Sequence, residues 1–282
     1  MWGEIVNISE IIRLSLEEDI QYGDISTESL NLGNNQIKAR LVCKENGVLA
    51  GLEIFSATFH EIDESITVKL KKQDGEHVKK GEVIAKLSGR AGSLLQAERV
   101  ALNFIQRMSG IATLTAKHVA EIGTHRARLL DTRKTTPLLR KLEKYAVKAG
   151  GGFNHRFGLF DMVMLKENHI RSAGSITAAV KLVRNNDTSH KLEVEVTNAA
   201  ELAEAVSAGV DRVMLDNMSI DEMRKAVDKY HGQVELEASG NVTLETIGKI
   251  ASTGVDFISS GSLTHSYKSL DISLLFEEPD NE

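Results

Sequence analysis

Hydrophobic and polar positions follow two different rhythms along the 282-residue chain, and the change falls near residue 108. In the first part, SEIIRLSLEED sets Ile12 and Leu16 one turn apart behind a candidate N-cap, Ser9, which predicts a short amphipathic helix. QIKARLVC alternates Ile37, Ala39, Leu41 and Cys43, the period of a half-buried strand. ITVKLKKQDGEHVKKGEVIAKLSG reads as two short strands punctuated by turns at Asp74-Gly75 and Lys80-Gly81. A long helix is predicted over SLLQAERVALNFIQRMSG, with Leu95, Leu102 and Ile105 marking its apolar face. Arg99 falls four residues after Leu95 and three before Leu102, so its guanidinium is expected inside that face. An unpaired buried charge is costly. Arg99 is therefore expected either to snorkel or pair with a carboxylate, or to project into a subunit interface or toward an anionic ligand.

After about residue 125 the pattern becomes strand, loop, helix, repeated. The predicted strands are RLLDT, MVMLK, LEVEV, RVMLD, VELEA and FISSG; helices between them include ITAAVKLVR, AAELAEAVSAG, SIDEMRKAVDKY and LETIGKIASTG. Six such units predict a parallel sheet covered by helices, and a TIM-like, incomplete α/β barrel is the economical form, with an open doubly wound sheet as the alternative. The expected architecture is thus an N-terminal α+β sandwich domain over residues 1–109 and an α/β barrel over 110–265. LDISLLFEE, within 266–282, is expected to return to the first domain. No G-x-G-x-x-G follows any predicted strand, so a dinucleotide fingerprint is absent.

Composition narrows the class. No apolar run approaches the ~18 residues of a membrane span, and MWGEIVNISEII lacks a basic stretch followed by an apolar one, so no secretory leader is expected. Cys43 is the single cysteine, which excludes an internal disulfide and a cysteine-based zinc site. A cytoplasmic location is expected. The net charge of −6 argues against nucleic-acid partners, but Asp131 to Arg171 carries +5 and the remainder −11. Arg140, Lys141, Lys144 and Lys148 fall on the helical LLRKLEKYAVKAG and read as a solvated face; Arg133, Lys134, Arg156 and Lys166 lie outside it.

In a parallel barrel the strand C-termini face the active-site mouth. Those positions carry Asp131-Thr132-Arg133-Lys134, Lys166-Glu167-Asn168-His169, Glu195, Asp216-Asn217, Glu237 with Ser239-Gly240-Asn241, and Ser259-Ser260-Gly261. Glu195, Asp216 and Glu237 recur every twenty-one residues, one βα unit, and are expected on one rim; of Glu193 and Glu195, one is expected to face a helix. Arg133, Lys134, His155, Arg156 and Lys166 would form a pocket for carboxylates or phosphates. Glu195 and Asp216 could hold a divalent cation, contact ribose hydroxyls or stabilise developing positive charge. The small-residue loops at Ser239-Gly240-Asn241 and Ser259-Ser260-Gly261 suit a phosphate. One substrate with carboxylates and another that is a phosphorylated sugar fit this set. In GGGFNHRFGLFDMVMLKENHI, the glycines permit a tight turn, Asn154-His155-Arg156 reaches over the pocket and MVML delivers Lys166; His169 is expected to be structural. His118 and His125 have no assigned role, and Tyr145 and Asn168 could support the site.

DTRKTTPLLRKLEKYAVKAGGGFNHRFGLFDMVMLKENHI resembles the signature region of the quinolinate phosphoribosyltransferase family. The likeness extends over almost the whole chain through EEDIQYGDIST, QAERVALNFIQRMSGIATLT, EVEVTN, VMLDNMS, EASGNV and ISSGSLTHS. The resemblance implies that quinolinate and phosphoribosyl pyrophosphate react, with magnesium, to give nicotinate mononucleotide, pyrophosphate and CO2. It implies a substrate site of Thr132, Arg133, Lys134, His155, Arg156 and Lys166, with Arg99 entering from a neighbouring subunit of a homodimer or higher oligomer. It further implies that Glu195 and Asp216 bind the ribose and its magnesium and, with Lys134, form the catalytic set, while Ser239, Gly240, Asn241, Ser259, Ser260 and Gly261 hold the 5-phosphate. The alternatives are a sister phosphoribosyltransferase acting on nicotinate or another anionic ring, and a carrier module. DGEHVKKGEVIAKL resembles biotinyl and lipoyl carrier domains, but the chain lacks the exposed MKM-like lysine such a carrier modifies.

Overall fold

The computed structural model describes residues 7–30 and 35–277; Met1 to Val6, on which the leader expectation partly rests, and the end of the returning segment lie outside them. Strands β1 (Gln36–Cys43), β2 (Gly47–Val48), β3 (Thr67–Leu70), β4 (His77–Val78) and β5 (Val83–Arg90) come first. Six more follow, β6 (Arg128–Leu130), β7 (Val163–Leu165), β8 (Leu192–Val196), β9 (Arg212–Asp216), β10 (Glu235–Ser239) and β11 (Phe257–Ser259), and then a last one, β12 (Ile272–Phe276). The chain divides into two compact units. One comprises the described residues up to Leu114, with Pro137–Gly151 and those from Tyr267 on; the other comprises Thr115–Thr136 and Gly152–Ser266.

The first unit is built on an antiparallel sheet in the order β12-β1-β5-β3, with β2 and β4 paired separately. The alternation read in QIKARLVC buries Ala39, Leu41 and Cys43, and a register shift between Leu41 and Val42 turns Val42 inward as well. LDISLLFEE supplies β12, whose Leu274 pairs with Leu41. Phe55 and Phe59 of helix Leu52–Ile62 stack edge to face at 5.0 Å in the core beside Leu94 and Ile105. That helix has no side-chain cap of its own. The carboxylate of Asp74, from the predicted turn, accepts the backbone N–H groups of Gly51 (3.0 Å) and Leu52 (3.1 Å) instead.

Several expectations are corrected in this unit. Helix Ile8–Ile20 buries Ile12 and Leu16, but its N-cap is Asn7, whose side chain accepts the Ser9 N–H at 3.1 Å. In helix Ala91–Ile122 the buried stripe runs through Leu94, Ala97, Ala101, Leu102, Ile105 and Met108. Arg99 is exposed: it follows Leu95, itself half-buried, and lies off the stripe that starts at Leu94. Helix Arg140–Ala149, within the 110–265 span expected to form the barrel, belongs to the first compact unit. Its fully buried Glu143 pairs with Arg107 (Nε to Oε1 3.1 Å), and the Tyr145 hydroxyl donates to Asp74 at 2.7 Å. Lys144, expected on a solvated face, is 2 % exposed because this flank of the helix is the packed one.

The second unit is a six-stranded parallel sheet in the order β6-β11-β10-β9-β8-β7. Among the described residues no ladder joins β7 to β6, so the sheet is not closed into a barrel by strand pairing. Beyond the β6 edge the GGGFNHRF run adds one bridge, with the Phe153 N–H donating to Leu129 O (2.8 Å) and the Asp131 N–H to Phe153 O (3.1 Å). Side chains alternate with period two. Leu192, Val194 and Val196 of β8, Val213 and Leu215 of β9, and Leu236 and Ala238 of β10 form a buried apolar set. The opposite set is polar: Glu193, Glu195, Arg212, Asp216, Glu235, Glu237 and Ser239, with Met214. Glu193 and Glu195, two apart, therefore share a face, and neither turns to a helix.

Candidate active site

One cavity of about 820 Å³ opens at the C-terminal ends of the parallel strands. Thr132, Arg133, Lys134, His155, Arg156, Lys166, Glu195, Asp216, Ser239, Gly240, Asn241, Ser259, Ser260 and Gly261 all line it. Arg99 belongs to the first unit and is not among the lining residues. Glu237 shares the face of Glu195 and Asp216 but is fully buried beneath the cavity. Equal spacing in sequence did not give equal height, because the residue paired with Asp216 across β9 and β10 is Ser239.

The cationic side is assembled by the loops after β6 and before β7. Asp131, fully buried, accepts the His155 backbone N–H at 2.9 Å and the side-chain amide of Asn154, which fixes Asn154-His155-Arg156 against the end of β6. The glycine-rich run and the two polar residues before Arg156 are thus scaffold for it. Arg156 Nη1 donates to Met162 O at 3.1 Å. Burial, and secondly the positive charge of Arg133, push the Arg156 pKa below its ordinary value, as expected where two guanidinium groups gather with too little water. On the neighbouring loop Thr132 Oγ1 accepts the Lys134 N–H (3.0 Å), and Thr264 Oγ1 donates to Lys134 O (2.7 Å). Lys166, straight after β7, reaches Glu195 with Nζ 2.5 Å from Oε2. His169 is structural: its Nδ1 accepts the Lys166 N–H at 3.0 Å at the start of helix Glu167–Ala173.

The acidic side is held by an asparagine to which sequence reasoning assigned no part. Asn217 follows Asp216 in a left-handed conformation (φ +54°). Its N–H donates to Ser239 O (2.9 Å), its amide nitrogen to Asp216 Oδ2 (3.0 Å), and its Oδ1 accepts from Asn241 Nδ2 (3.2 Å). It therefore ties the Asp216 carboxylate to the Ser239-Gly240-Asn241 loop. A legible signal existed, since Asn is one of the few residues that adopt this conformation readily. Gly240 has φ +93°, and a Cβ there would stand 2.1 Å from Asn217 Oδ1. Met164, Met214, Val242, Ser262 and His265 also line the cavity and had no separate sequence signal. At Gly261 a Cβ would come 2.8 Å from Lys134 Cδ, so the lysine stem lies directly on that loop.

Under the floor, burial pushes the Glu193 carboxyl up to about 7, against the pull of Arg212, Arg156 and Lys166. Burial and then the charge of Glu193 push Glu237 up to about 7 as well. Arg212 holds Glu237 Oε2 with Nη1 and Glu235 Oε2 with Nη2, both at 3.0 Å, and its guanidinium lies 3.9 Å from the Phe257 ring centroid. Ser259 is near enough to Glu237 to lower its pKa slightly but makes no hydrogen bond of ordinary geometry.

Two family models match the chain: the quinolinate phosphoribosyl transferase N-terminal domain over residues 24–109 and its C-terminal domain over residues 111–275. A Bacillus subtilis protein named probable nicotinate-nucleotide pyrophosphorylase [carboxylating] is 47% identical over 259 residues, 91% of this chain and 89% of that one. The crystal structure of NadC from Streptococcus pyogenes superposes with TM-score 0.91 at 41% identity, covering 98% of this chain and 100% of that one. The nicotinate-nucleotide pyrophosphorylase from Francisella tularensis gives 0.93 at 43% identity, covering 96% of each.

Proposed function

Since the chain belongs to the quinolinate phosphoribosyltransferase family, we propose that it transfers the phosphoribosyl group of phosphoribosyl pyrophosphate to quinolinate with decarboxylation. The products are nicotinate mononucleotide, pyrophosphate and CO2, and the step belongs to NAD biosynthesis. The observation that carries this reading is the division of one cavity into a cationic wall of Arg133, Lys134, Arg156 and Lys166 and an acidic wall of Glu195 and Asp216. A dicarboxylate matches two crowded guanidiniums and a lysine better than a monocarboxylate does.

In this reading Arg133, Arg156 and Lys166 take the two carboxylates of quinolinate and present its ring nitrogen to C1 of the ribose. As the new C–N bond forms, the C1–O bond to pyrophosphate breaks with oxocarbenium character, and the Glu195 and Asp216 carboxylates stabilise the positive charge. Lys134, its stem against Gly261, offers its ammonium to the departing pyrophosphate. Ser239 to Asn241 and Ser259 to Gly261 hold the 5-phosphate through a backbone free to approach closely. The positive charge of the quaternised ring nitrogen then stabilises the electron pair left on the adjacent ring carbon when the 2-carboxylate departs as CO2, and that pair takes up a proton. Glu195 and Asp216 also fit magnesium, because two carboxylates on adjacent strands face a cavity suited to substrate phosphates, and this ion binds through one or two carboxylates and phosphate oxygens. When bound it would neutralise charge on the pyrophosphate. Exposed Arg99 is available to a second copy of the chain, and its sharing across a homodimer or larger assembly is part of the proposal, as is a cytoplasmic setting compatible with the one free, buried cysteine, Cys43.

The test is turnover with magnesium, phosphoribosyl pyrophosphate and either quinolinate or nicotinate, following product nucleotide and CO2. Nucleotide and CO2 from quinolinate, with little product from nicotinate, are expected; turnover of nicotinate alone would move the chain to the sister activity. Glu195→Gln, which removes a charge facing the developing cation, is expected to lower kcat roughly 10²–10³-fold. An unchanged kcat in steady-state assays would remove Glu195 from the catalytic set.

A further inference from the structure

The proposed reaction sets Asp216 beside the ribose and the Ser239-Gly240-Asn241 loop around the 5-phosphate, and gives no part to the side chain that joins them. Asn217 touches both. Its amide nitrogen donates to Asp216 Oδ2 at 3.0 Å, its Oδ1 accepts from Asn241 Nδ2 at 3.2 Å, and its backbone N–H donates to Ser239 O at 2.9 Å. The contacts run on past the loop, where Thr246 Oγ1 of helix Leu244–Ala251 donates to Asn241 O at 3.0 Å.

The polarity of these contacts is set from the carboxylate end. An ionised carboxylate accepts only, so Asn217 must turn its NH2 group toward Asp216 and its carbonyl oxygen toward Asn241, which in turn must donate. Turning the Asn217 amide by 180° would set oxygen against oxygen at Asp216. The backbone favours the same arrangement. Among the described residues four that are not glycine have a left-handed φ, and two of them are Asn217 (+54°) and Asn241 (+50°). Such conformations gather where function requires a side chain to be held in place. Asn217 is also seated so closely on Gly240 that a Cβ there would stand 2.1 Å from its Oδ1. Its carbonyl end is thus held by the loop after β10 while its amide nitrogen holds Asp216.

We propose that Asn217 is a positioning residue: it straps the Asp216 carboxylate to the loop that takes the 5-phosphate, so that a phosphate held by the loop steadies Asp216 where positive charge develops on the ribose. Binding energy from the part of the substrate that does not react is thereby used at the part that does. This inference rests on the phosphoribosyl reading above for its kinetic consequence, but not for the strap itself.

Kinetics, calorimetry and unfolding of the full chain test it. Asn217→Gly suits the left-handed backbone and removes only the strap, so kcat should fall about tenfold, the effect of one positioned hydrogen bond, with the quinolinate KM within about twofold of wild type. Ribose 5-phosphate, which carries both the sugar and its phosphate, should bind this variant about tenfold more weakly in calorimetry. Asn217→Asp keeps the shape but sets a carboxylate where Asp216 meets a donor, and its kcat should fall at least about tenfold further. A side chain that merely fills space would rank these two the other way, so an aspartate variant more active than the glycine one would overturn the proposal. A quinolinate KM that rises as far as kcat falls would do the same. Because Asn217 acts through Asp216, adding Asn217→Gly to Asp216→Ala should weaken ribose 5-phosphate binding by less than about twofold more; a further tenfold loss would mean that Asn217 acts independently. In urea the midpoint shifts of the same two substitutions should be non-additive, and additive shifts would show that the two side chains do not interact. Should Asn217→Gly fail to fold, Asn241→Gly frees the other end of the strap at a second left-handed position, and losses in the same direction are expected. If the wild type does not turn over quinolinate, the substrate reading fails while the urea cycle still decides whether Asn217 holds Asp216.

Discussion

Replacing Arg212 with methionine is expected to lower folding stability by about 3–5 kcal/mol, the range for removing one partner of a buried ion pair. Its guanidinium holds Glu237 and Glu235 at 3.0 Å each, and Glu237 is fully buried. Methionine matches much of the volume and can still pack on Phe257, so the loss is electrostatic more than steric. The deficit should depend on pH in a defined direction. Glu237 titrates at an ordinary 4.5 when unfolded and is pushed up to about 7 in the fold, so within that window the folded chain holds a proton that the unfolded chain has released. Its contribution to stability is therefore present below the lower value and lost as pH rises toward the upper one. Arg212 pulls that pKa down, and removing it extends the window upward. Urea unfolding should show a larger deficit at pH 8 than at pH 5.5, and Arg212→Met combined with Glu237→Gln should recover much of it. A deficit equal at both pH values would mean that packing, not charge, is what Arg212 supplies.

Gly240→Ala should damage both the fold and phosphoribosyl pyrophosphate binding. The backbone at Gly240 has φ +93°, where a side chain costs roughly 1–2 kcal/mol. The added Cβ would also stand 2.1 Å from Asn217 Oδ1, forcing that side chain away from Asp216 and Asn241. With about 1 kcal/mol for each of the two hydrogen bonds lost, the total reaches about 3–4 kcal/mol. Gly209→Ala is the control, since Gly209 also has a positive φ of +78° but has open space around its Cβ position, leaving strain alone. If the loop after β10 holds the 5-phosphate, Gly240→Ala should raise the phosphoribosyl pyrophosphate KM at least about tenfold while Gly209→Ala leaves it unchanged. Equal stability losses in the two variants would show that the Asn217 contacts contribute nothing.

Much of the second unit was legible because its pattern is local. LEVEV and VELEA alternate apolar and polar positions strictly, and RVMLD does so apart from Met214, which marks them as strands without knowledge of the neighbours. The short motifs at the strand ends determined which side chains would line a cavity, because a parallel βα unit brings each strand end to the same side of the sheet. Periodicity could not supply depth. Asp216 and Glu237 occupy like places in successive repeats, yet one lines the cavity and the other is buried under it, because the register across β9 and β10 sets Ser239, not Glu237, beside Asp216. The placing of Arg99 inside the apolar helix face failed for a related reason: Leu94 and Leu95 are equally apolar, and only packing chose Leu94 as the start of the buried stripe. Lys144 failed because a charged residue on a helix reads as solvated until its packed flank is known.

The sequence by itself determined the element types of the parallel half, the family and the roster of cavity-lining cations and carboxylates. Those follow from neighbours a few residues apart and from motifs. Tertiary structure alone decided that helix Arg140–Ala149 joins the first unit, that Asn217 ties two strand ends together, and that Asp131 fixes the backbone of Asn154-His155-Arg156. Each depends on partners distant in the chain, and a hydrogen bond or a buried charge has no signature until the fold brings its partner within about 3 Å.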